Sequence, residues 1–222
     1  MEGKIVVVAG GSGGLGQGVV PTFRKAGARV ITADRRPPAA LMEQGTAMQA
    51  DVTDEADVRR LVEEVLRREG RIDALVNLVG GFTTGRVVET DHTAWDRMLT
   101  MNLTAAFILS KAVLPPMLKR RAGRIIHIAA RAAVEPFPGA AAYVVSKAGL
   151  AALIRTLSLE ISGSGVTVNG ILPTTIDTQA NRKSMPDADV SKWVKPDSIA
   201  QLIGFLLSDN AGQINGALVP IG

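Results

Sequence analysis

The fold of this chain is decided near its start, by the stretch Ile5-Val6-Val7-Val8-Ala9-Gly10-Gly11-Ser12-Gly13-Gly14-Leu15-Gly16. Five apolar residues in a row predict a short strand that is buried on both faces. The glycines after it permit a tight turn with positive φ, and they let a backbone approach a pyrophosphate at the N-terminus of the next helix. A glycine-rich turn can also join a strand to a helix without any ligand, so the stretch alone leaves both interpretations open.

Short apolar runs alternate with longer helical patterns along the rest of the chain. Seven runs are predicted as strands: Ile5–Ala9, Arg29–Ala33, Ala47–Ala50, Ala74–Val79, Arg124–Ile128, Thr167–Leu172 and Ala217–Val219. Five segments are predicted as helices: Leu15–Ala26, Glu55–Glu69, Thr93–Lys119, Ala140–Ile161 and Asp197–Leu207. Apolar strands separated by helices predict a parallel sheet covered on both faces. We therefore expect one α/β domain over residues 1–222, with a long, functional loop at 173–196.

The composition excludes several classes of function. Of 222 residues 46% are apolar and the net charge is +4, but the cations are scattered over separate segments without interleaved aromatic residues. This pattern argues against a nucleic-acid surface. With no cysteine and two histidines, we expect no metal site. The apolar run at the start is too short for a membrane span or a signal peptide, so we expect no membrane association and a cytoplasmic location.

Polar residues after the next predicted strands fit a dinucleotide. Asp34 lies 18 residues beyond Gly16, where a carboxylate can bond the adenosine ribose hydroxyls. Its charge would repel a 2′-phosphate and so favours NAD, although the neighbouring Arg35 leaves NADP open. Asp51 could accept a hydrogen bond from the adenine amino group or serve only as an acid at a helix start. Asn77 could contact the cofactor or be a satisfied core amide.

A phenol and an ammonium group lie together further along the chain. Tyr143 and Lys147 are four residues apart on a predicted helix, so their side chains share one face. A lysine cation favours the phenolate, and we expect it to lower a tyrosine pKa that is otherwise about 10. The pair predicts a proton donor. The alternative is a packed tyrosine next to a surface lysine.

Taken together, these motifs resemble the short-chain dehydrogenase/reductase family over essentially the whole chain. Ala9-Gly10-x-x-x-Gly14-x-Gly16 is similar to the TGxxxGxG motif, with alanine for threonine, and Asp51-Val52 matches the adenine-contacting pair. Asn77-Leu78-Val79-Gly80 stands in place of NNAG, with only its ends kept. Asn102 matches the asparagine of the catalytic tetrad, and Tyr143 with Lys147 matches YxxxK.

The resemblance implies a doubly wound Rossmann domain and a set of site residues. Tyr143 would exchange a proton with a small-molecule substrate, Lys147 would bond the nicotinamide ribose, and Asn102 would support a water relay. Cofactor contacts are implied for Gly10, Ser12, Gly14, Leu15, Gly16, Asp34, Arg35, Asp51, Val52, Asn77, Val79, Gly80, Tyr143, Lys147, Pro173, Ile176 and Thr178. Helix pairing in the family further implies a homodimer or a homotetramer.

One departure from the family pattern bears on the substrate. The family usually carries a serine thirteen residues before the tyrosine, whereas this chain has Ala130. Dihydropteridine reductases also lack that serine, and the segment from Leu172 to Pro186 resembles theirs. The first hypothesis is therefore an NADH-dependent reductase of a small conjugated, dihydropteridine-like substrate. The alternatives are a general carbonyl or alcohol oxidoreductase and a nucleotide-binding protein with little catalysis.

Overall fold

The structure, a computed structural model, describes residues 1–222 and contains seven strands. These are β1 Ile5–Ala9, β2 Arg29–Asp34, β3 Ala47–Gln49, β4 Ala74–Asn77, β5 Gly123–Ile128, β6 Val166–Pro173 and β7 Leu218–Ile221. All of them pair in parallel in one sheet, in the order β3-β2-β1-β4-β5-β6-β7. The predicted fold class, one α/β domain around a seven-stranded parallel sheet, is confirmed.

Helices cover the two faces of the sheet. They are α1 Gly16–Lys25, α2 Ala39–Glu43, α3 Glu55–Glu69, α4 His92–Leu99, α5 Ala105–Arg120, α6 Ala141–Glu160, α7 Gln179–Ser184 and α8 Pro196–Leu206. One apolar core lies between the sheet and the helices α3, α5 and α6, and a second lies between the sheet and α1 and α8. The strands face both cores, which explains why their sequences are largely apolar rather than alternating.

The order of the strands brings the predicted site residues to one edge of the sheet. The chain runs outward from β1 to β3 and then returns to β4 on the other side of β1. Open α/β sheets bind ligands at the carboxyl ends of the strands near such a reversal. Because every strand is parallel, the ends at Ala9, Asp34, Asn77, Ile128 and Pro173 share this edge.

The long helix predicted over Thr93–Lys119 is interrupted in the structure. Between α4 and α5 the residues Thr100–Thr104 form a π-helical turn, in which the backbone N–H of Ala105 bonds the carbonyl of Thr100. Turns of this kind occur mostly as single bulges within α-helices and often at functional sites. The widened turn contains Asn102, which is fully buried.

Two helical stretches, His92–Arg120 and Ala141–Glu160, have the length and apolar composition of a membrane span. In each stretch 44% of the most apolar window is buried, and Leu109, Met117 and Leu150 pack in the cluster between the sheet and the helices. The core helix of a soluble protein has the same composition. Core packing therefore accounts for part of the apolar character of both stretches.

Candidate active site

The glycine-rich turn between β1 and α1 has no room for side chains at its key positions. Gly10 has φ +80°, and a Cβ there would lie 3.1 Å from Val79 Cγ2. A Cβ on Gly16 would collide with the carbonyl oxygen of Gly11. Leu15 is buried in the core below the turn. The turn is thus packed against the chain that leaves β4, and its glycines are sterically required.

Two polar side chains beside this turn have buried atoms without partners. The backbone N–H of Ser12 donates to Asp34 Oδ1 at 3.0 Å, so the end of β2 is tied to the turn. Asp34 Oδ2 and Ser12 Oγ are both buried and lack any hydrogen-bond partner in the chain. Buried polar atoms are normally satisfied. These two therefore fit a ligand that carries hydroxyl groups at the end of β2, as a nucleotide ribose does.

Asp51 follows β3 and makes a local turn. Its Oδ1 accepts hydrogen bonds from the backbone N–H and the hydroxyl of Thr53, at 2.9 and 2.6 Å. These bonds lower the pKa of Asp51, with a further contribution from the charge of Arg35. Val52 is buried in the core. The N-cap of α3 is Asp54, whose side chain accepts from the Asp57 N–H, so Asp51 does not start the helix and its adenine contact stays a prediction.

The segment after β4 lies between the glycine turn and the predicted catalytic residues. Asn77 is buried, and its Oδ1 accepts the backbone N–H of Val79 at 3.0 Å. A Cβ on Gly80 would lie 2.9 Å from Asn102 Oδ1 and 3.2 Å from Lys147 Nζ. Only glycine fits there, and its backbone is in close contact with two of the three predicted catalytic side chains.

The amide of Asn102 is fully used inside the protein. Its Oδ1 accepts from the Gly81 N–H at 2.9 Å, and its Nδ2 donates to the Gly81 carbonyl at 3.1 Å and to Ser146 Oγ at 2.9 Å. Ser146 in turn donates to the carbonyl of Tyr143 at 2.7 Å. Asn102 therefore fixes the loop after β4 to the helix that carries Tyr143. A water relay at Asn102 stays a prediction.

Lys147 is buried beneath the site and does not lower the pKa of Tyr143. Its Nζ donates to the Ile128 carbonyl at 2.9 Å, and burial lowers its own pKa to about 8. Burial raises the pKa of the Tyr143 phenol. The expectation that the lysine depresses this pKa is thus wrong, because burial disfavours the phenolate and raises the pKa of Tyr143.

Tyr143 is the only tyrosine of the chain, so its ionisation can be measured directly. We expect the phenolate absorbance of the free protein to appear with a pKa above about 10, the value of an exposed tyrosine. The Tyr143→Phe variant serves as the baseline, because it retains both tryptophans but has no phenol. A titration midpoint below about 10, the pKa of an exposed tyrosine, would show that burial does not control the pKa of Tyr143.

No side-chain hydroxyl replaces the missing serine at the end of β5. Ala129, Ala130 and Ala132 are all buried. Arg131 is held away by bonds from its guanidinium to the Gly222 carbonyl at 2.6 Å and to Glu135 Oε1 at 3.2 Å. The residue at the serine position, Ala130, therefore offers only a methyl group.

An aromatic ring stands beside the phenol. Phe82 follows Gly81, whose backbone is hydrogen-bonded to Asn102. Its ring contacts that of Tyr143 edge to face, with 4.9 Å between ring centroids and an interplanar angle of 79°. Its side chain remains 56% exposed. A phenylalanine exposed to this degree leaves a ring surface free for a further contact next to Tyr143.

The loop after β6 folds back onto the glycine turn. Pro173 ends β6, Ile176 pairs with Val194, and Thr178 caps α7 by accepting from the Asn181 N–H at 3.3 Å. A Cβ on Gly14 would lie 3.1 Å from Thr178 Cβ. A cavity of about 520 Å³ opens between this loop, the turn and the start of α8. The structure thus brings Thr178 to the glycine turn, although it also caps a helix.

The comparison with known protein families agrees with this geometry. The family model described as short chain dehydrogenase matches residues 4–189. The chain belongs to the short-chain dehydrogenase family. It is accordingly an NAD(P)-dependent oxidoreductase.

Curated relatives of this short-chain dehydrogenase match almost end to end. The 3-oxoacyl-acyl-carrier-protein reductase FabG of Escherichia coli is 32% identical, over 97% of this chain and 94% of its own length. Meso-2,3-butanediol dehydrogenase of Serratia marcescens is 31% identical, over 99% of this chain and 93% of its own. Neither of these two relatives is named a dihydropteridine reductase.

Solved structures share the whole fold. Aldohexose dehydrogenase of Thermoplasma acidophilum, in ligand-free form, superposes with a TM-score of 0.91 at 26% identity and covers 99% of this chain and 92% of its own. The protein ElxO, solved with NADP bound, has a TM-score of 0.91 at 24% identity and covers 100% of this chain and 97% of its own. At 24% identity, the similarity to ElxO indicates a shared fold only.

Three residues of the site region were missed from the sequence. Ser146 links Asn102 to Tyr143, Phe82 lies against the phenol, and His127 occupies a buried position opposite Asn77. The family spacing could have marked Ser146, because it directly precedes Lys147. No local pattern marks His127, since it lies within an ordinary apolar strand and gains its partners only through the sheet.

Proposed function

We propose that this short-chain dehydrogenase is an NADH-dependent reductase of a small conjugated substrate and that Tyr143 is its proton donor. The observation that carries the proposal is that Lys147 and Asn102 meet at the Gly80–Gly81 backbone, beside the glycine turn, and that the Tyr143 ring lies against Phe82, the next residue. A scaffold that only bound nucleotides would not need a half-buried phenol next to a buried lysine at this edge.

Each of the three residues has its own role in the proposed reaction. The coenzyme, when bound, supplies the hydride. Tyr143 holds a proton on its phenol at the mouth of the site, and its raised pKa keeps that proton in place until a basic atom of the substrate develops. Lys147 offers a buried ammonium group to the nicotinamide ribose and to the developing phenolate. Asn102 holds the loop after β4 and the helix α6 in fixed positions relative to each other.

The coenzyme preference follows from the acid at the end of β2. The unpartnered Asp34 Oδ2 suits the two ribose hydroxyls of NADH and would repel a 2′-phosphate. We expect Asp34→Ser to weaken NADH binding and to strengthen NADPH binding, because the exposed Arg35 and Arg36 could then pair with the phosphate. The ratio of the two dissociation constants should change by roughly tenfold or more.

Fluorescence titration with NADH and NADPH measures this change without any substrate. Glu43→Gln removes an exposed charge on the nearby α2 and is the matched control. An unchanged ratio in Asp34→Ser would show that the carboxylate does not select the coenzyme.

The substrate proposal rests on what surrounds Tyr143. The methyl group of Ala130 cannot donate a hydrogen bond to a carbonyl oxygen, whereas the exposed ring of Phe82 can stack on a planar substrate. A conjugated, dihydropteridine-like ring suits these surroundings. The second candidate is a simple carbonyl or alcohol, which is favoured by relatives whose names contain 3-oxoacyl reductase and butanediol dehydrogenase.

The two candidates differ in their response to a restored hydroxyl. With purified protein and NADH, we expect turnover of quinonoid dihydropterin and slow reduction of ketones. Ala130→Ser should raise kcat/KM for ketones by roughly tenfold or more, because it adds one donor for the developing oxyanion. It should leave dihydropterin turnover nearly unchanged. Ala132→Ser, also buried, is the matched control.

Other outcomes select the alternatives. Fast ketone turnover by the unmodified protein, with none on dihydropterin, would select the carbonyl oxidoreductase. Absence of turnover on dihydropterins, quinones and ketones, with either coenzyme, would select the nucleotide-binding protein.

For the assembly we propose a homodimer or a homotetramer in the cytoplasm. Exposed apolar side chains on α5 and α6 support the pairing of these helices, among them Phe107, Val145 and Leu159. Sedimentation equilibrium decides between one, two and four copies.

A further inference from the structure

A continuous chain of hydrogen bonds links helix α5 to the neighbouring strands β5 and β4, beneath the proposed coenzyme site. It starts at the Ala106 carbonyl, which accepts from Ser110 Oγ at 2.7 Å. Ser110 Oγ lies 2.9 Å from His127 Nε2, and Asn77 Nδ2 lies 3.3 Å from His127 Nδ1. The chain ends where Asn77 Oδ1 accepts the Val79 N–H at 3.0 Å. All three side chains in it are buried.

The bonds fix the direction of every proton in this chain. Because the Ser110 hydroxyl donates to Ala106, its oxygen is free only to accept, so His127 Nε2 must carry the proton. Burial and the charge of Lys147 lower the pKa of His127 to about 3, so the ring is neutral and Nδ1 is an acceptor. The Asn77 amide must then turn its nitrogen towards His127, which leaves its oxygen for Val79.

The far end of this chain is the segment that meets the coenzyme turn. Val79 N lies 3.2 Å from the position of a Cβ on Gly10, and Gly80 lies against Lys147 Nζ. A turned Asn77 amide would set its NH₂ group against the Val79 N–H, two donors face to face. The backbone from Val79 to Gly81 would then shift away from the turn.

We propose that His127 is a positioning residue, whose Nδ1 lone pair orients Asn77 and thereby holds Val79–Gly81 in the conformation that receives the coenzyme. The coenzyme part rests on the proposed function, while the positioning itself does not. Neither the histidine nor the serine reaches the reacting atoms, so each acts only through Asn77.

Paired substitutions separate this role from core packing. His127→Asn offers an oxygen near the place of Nδ1, whereas His127→Leu has a similar bulk and no acceptor. Ser110→Ala leaves the ring in place but removes the group that selects its tautomer. Thr167→Val, a buried residue on β6 whose hydroxyl has no partner, is the matched control for a change in the same sheet.

The first measurement needs no coenzyme. Hydrogen exchange of the Val79 amide should be slow in the unmodified protein, in His127→Asn and in Thr167→Val. The exchange should be at least about tenfold faster in His127→Leu and Ser110→Ala. Urea unfolding checks that the global stability of these two variants equals that of the unmodified protein. Imidazole ¹⁵N shifts should show His127 as the neutral Nε2–H form, clearly apart from the exposed His92.

The second measurement is the dissociation constant of NADH. We expect His127→Leu to weaken binding by roughly tenfold, the equivalent of about one lost hydrogen bond, and His127→Asn to restore it. Slow Val79 exchange in His127→Leu would overturn the positioning role. If exchange responds and NADH binds equally to all variants, the link to the coenzyme is wrong. If even the unmodified protein binds neither NADH nor NADPH, the proposed function fails and the exchange result still decides the role of His127.

Discussion

Tyr143→Phe is expected to lower kcat by about 10²–10⁴-fold, the usual contribution of a positioned general acid. The variant removes one oxygen atom and keeps the ring that meets Phe82 edge to face. Coenzyme affinity and folding stability should therefore remain close to those of the unmodified protein. Since the burial of the phenol raises its pKa, turnover that depends on the protonated form should not fall as the pH rises from about 6 to 9.

The measurement is single-turnover oxidation of bound NADH with the best substrate found for the unmodified protein. The NADH dissociation constant and the thermal midpoint, measured on the same preparation, show that the site and the fold are intact. Near-normal turnover in Tyr143→Phe would remove the phenol from the mechanism. A loss of turnover together with a loss of NADH binding would assign the tyrosine to the coenzyme instead.

The sheet could be predicted from the sequence because its strands are buried on both faces. A run such as Ile5–Ala9 has no polar residue to suggest an exposed face, and the glycines after it leave only a turn. The helix predicted over Thr93–Lys119 was wrong in one respect. Its π-helical turn at Thr100–Thr104 is stabilised by contacts of Asn102 with Gly81 and Ser146, which lie far away in sequence.

The positions of the site residues could also be predicted, but not their environments. Parallel strands place Asp34 and Asn77 at one edge whatever their partners are. Spacing alone put Lys147 beside Tyr143 and suggested a lowered phenol pKa, whereas burial, a property of the whole fold, raises it. The buried His127 has no signal in the sequence for the same reason: its partners come from β4 and α5.

Lys147→Met is expected to abolish most activity and yet to stabilise the protein. The charged ammonium group is buried, and its pKa of about 8 shows that the fold disfavours the charge. A methionine of similar length removes this cost and loses one hydrogen bond to the Ile128 carbonyl. We expect a net gain of about 1 kcal/mol in the free energy of unfolding near neutral pH. Turnover should fall by about 10²–10³-fold, as for other lost electrostatic donors.

The pH dependence of the stability gain has a definite sign. Below about pH 8 Lys147 is protonated in both the folded and the unfolded chain, so the cost of the buried charge is complete. Between about pH 8 and 10 the unfolded chain binds more protons than the folded one, so the unmodified protein becomes more stable as the pH rises. The advantage of Lys147→Met should therefore be constant below about pH 8 and shrink above it.

Urea unfolding of both proteins without coenzyme, at about pH 7 and about pH 10, measures this difference. Lys192→Met, at a side chain that is 82% exposed, is the control for losing a lysine charge at the surface. A stability difference that does not change with pH would mean that Lys147 titrates alike in the folded and the unfolded chain and is therefore well solvated in the folded protein. That result would leave its ammonium group without the electrostatic strength that the proposed mechanism requires, because a solvated charge interacts weakly.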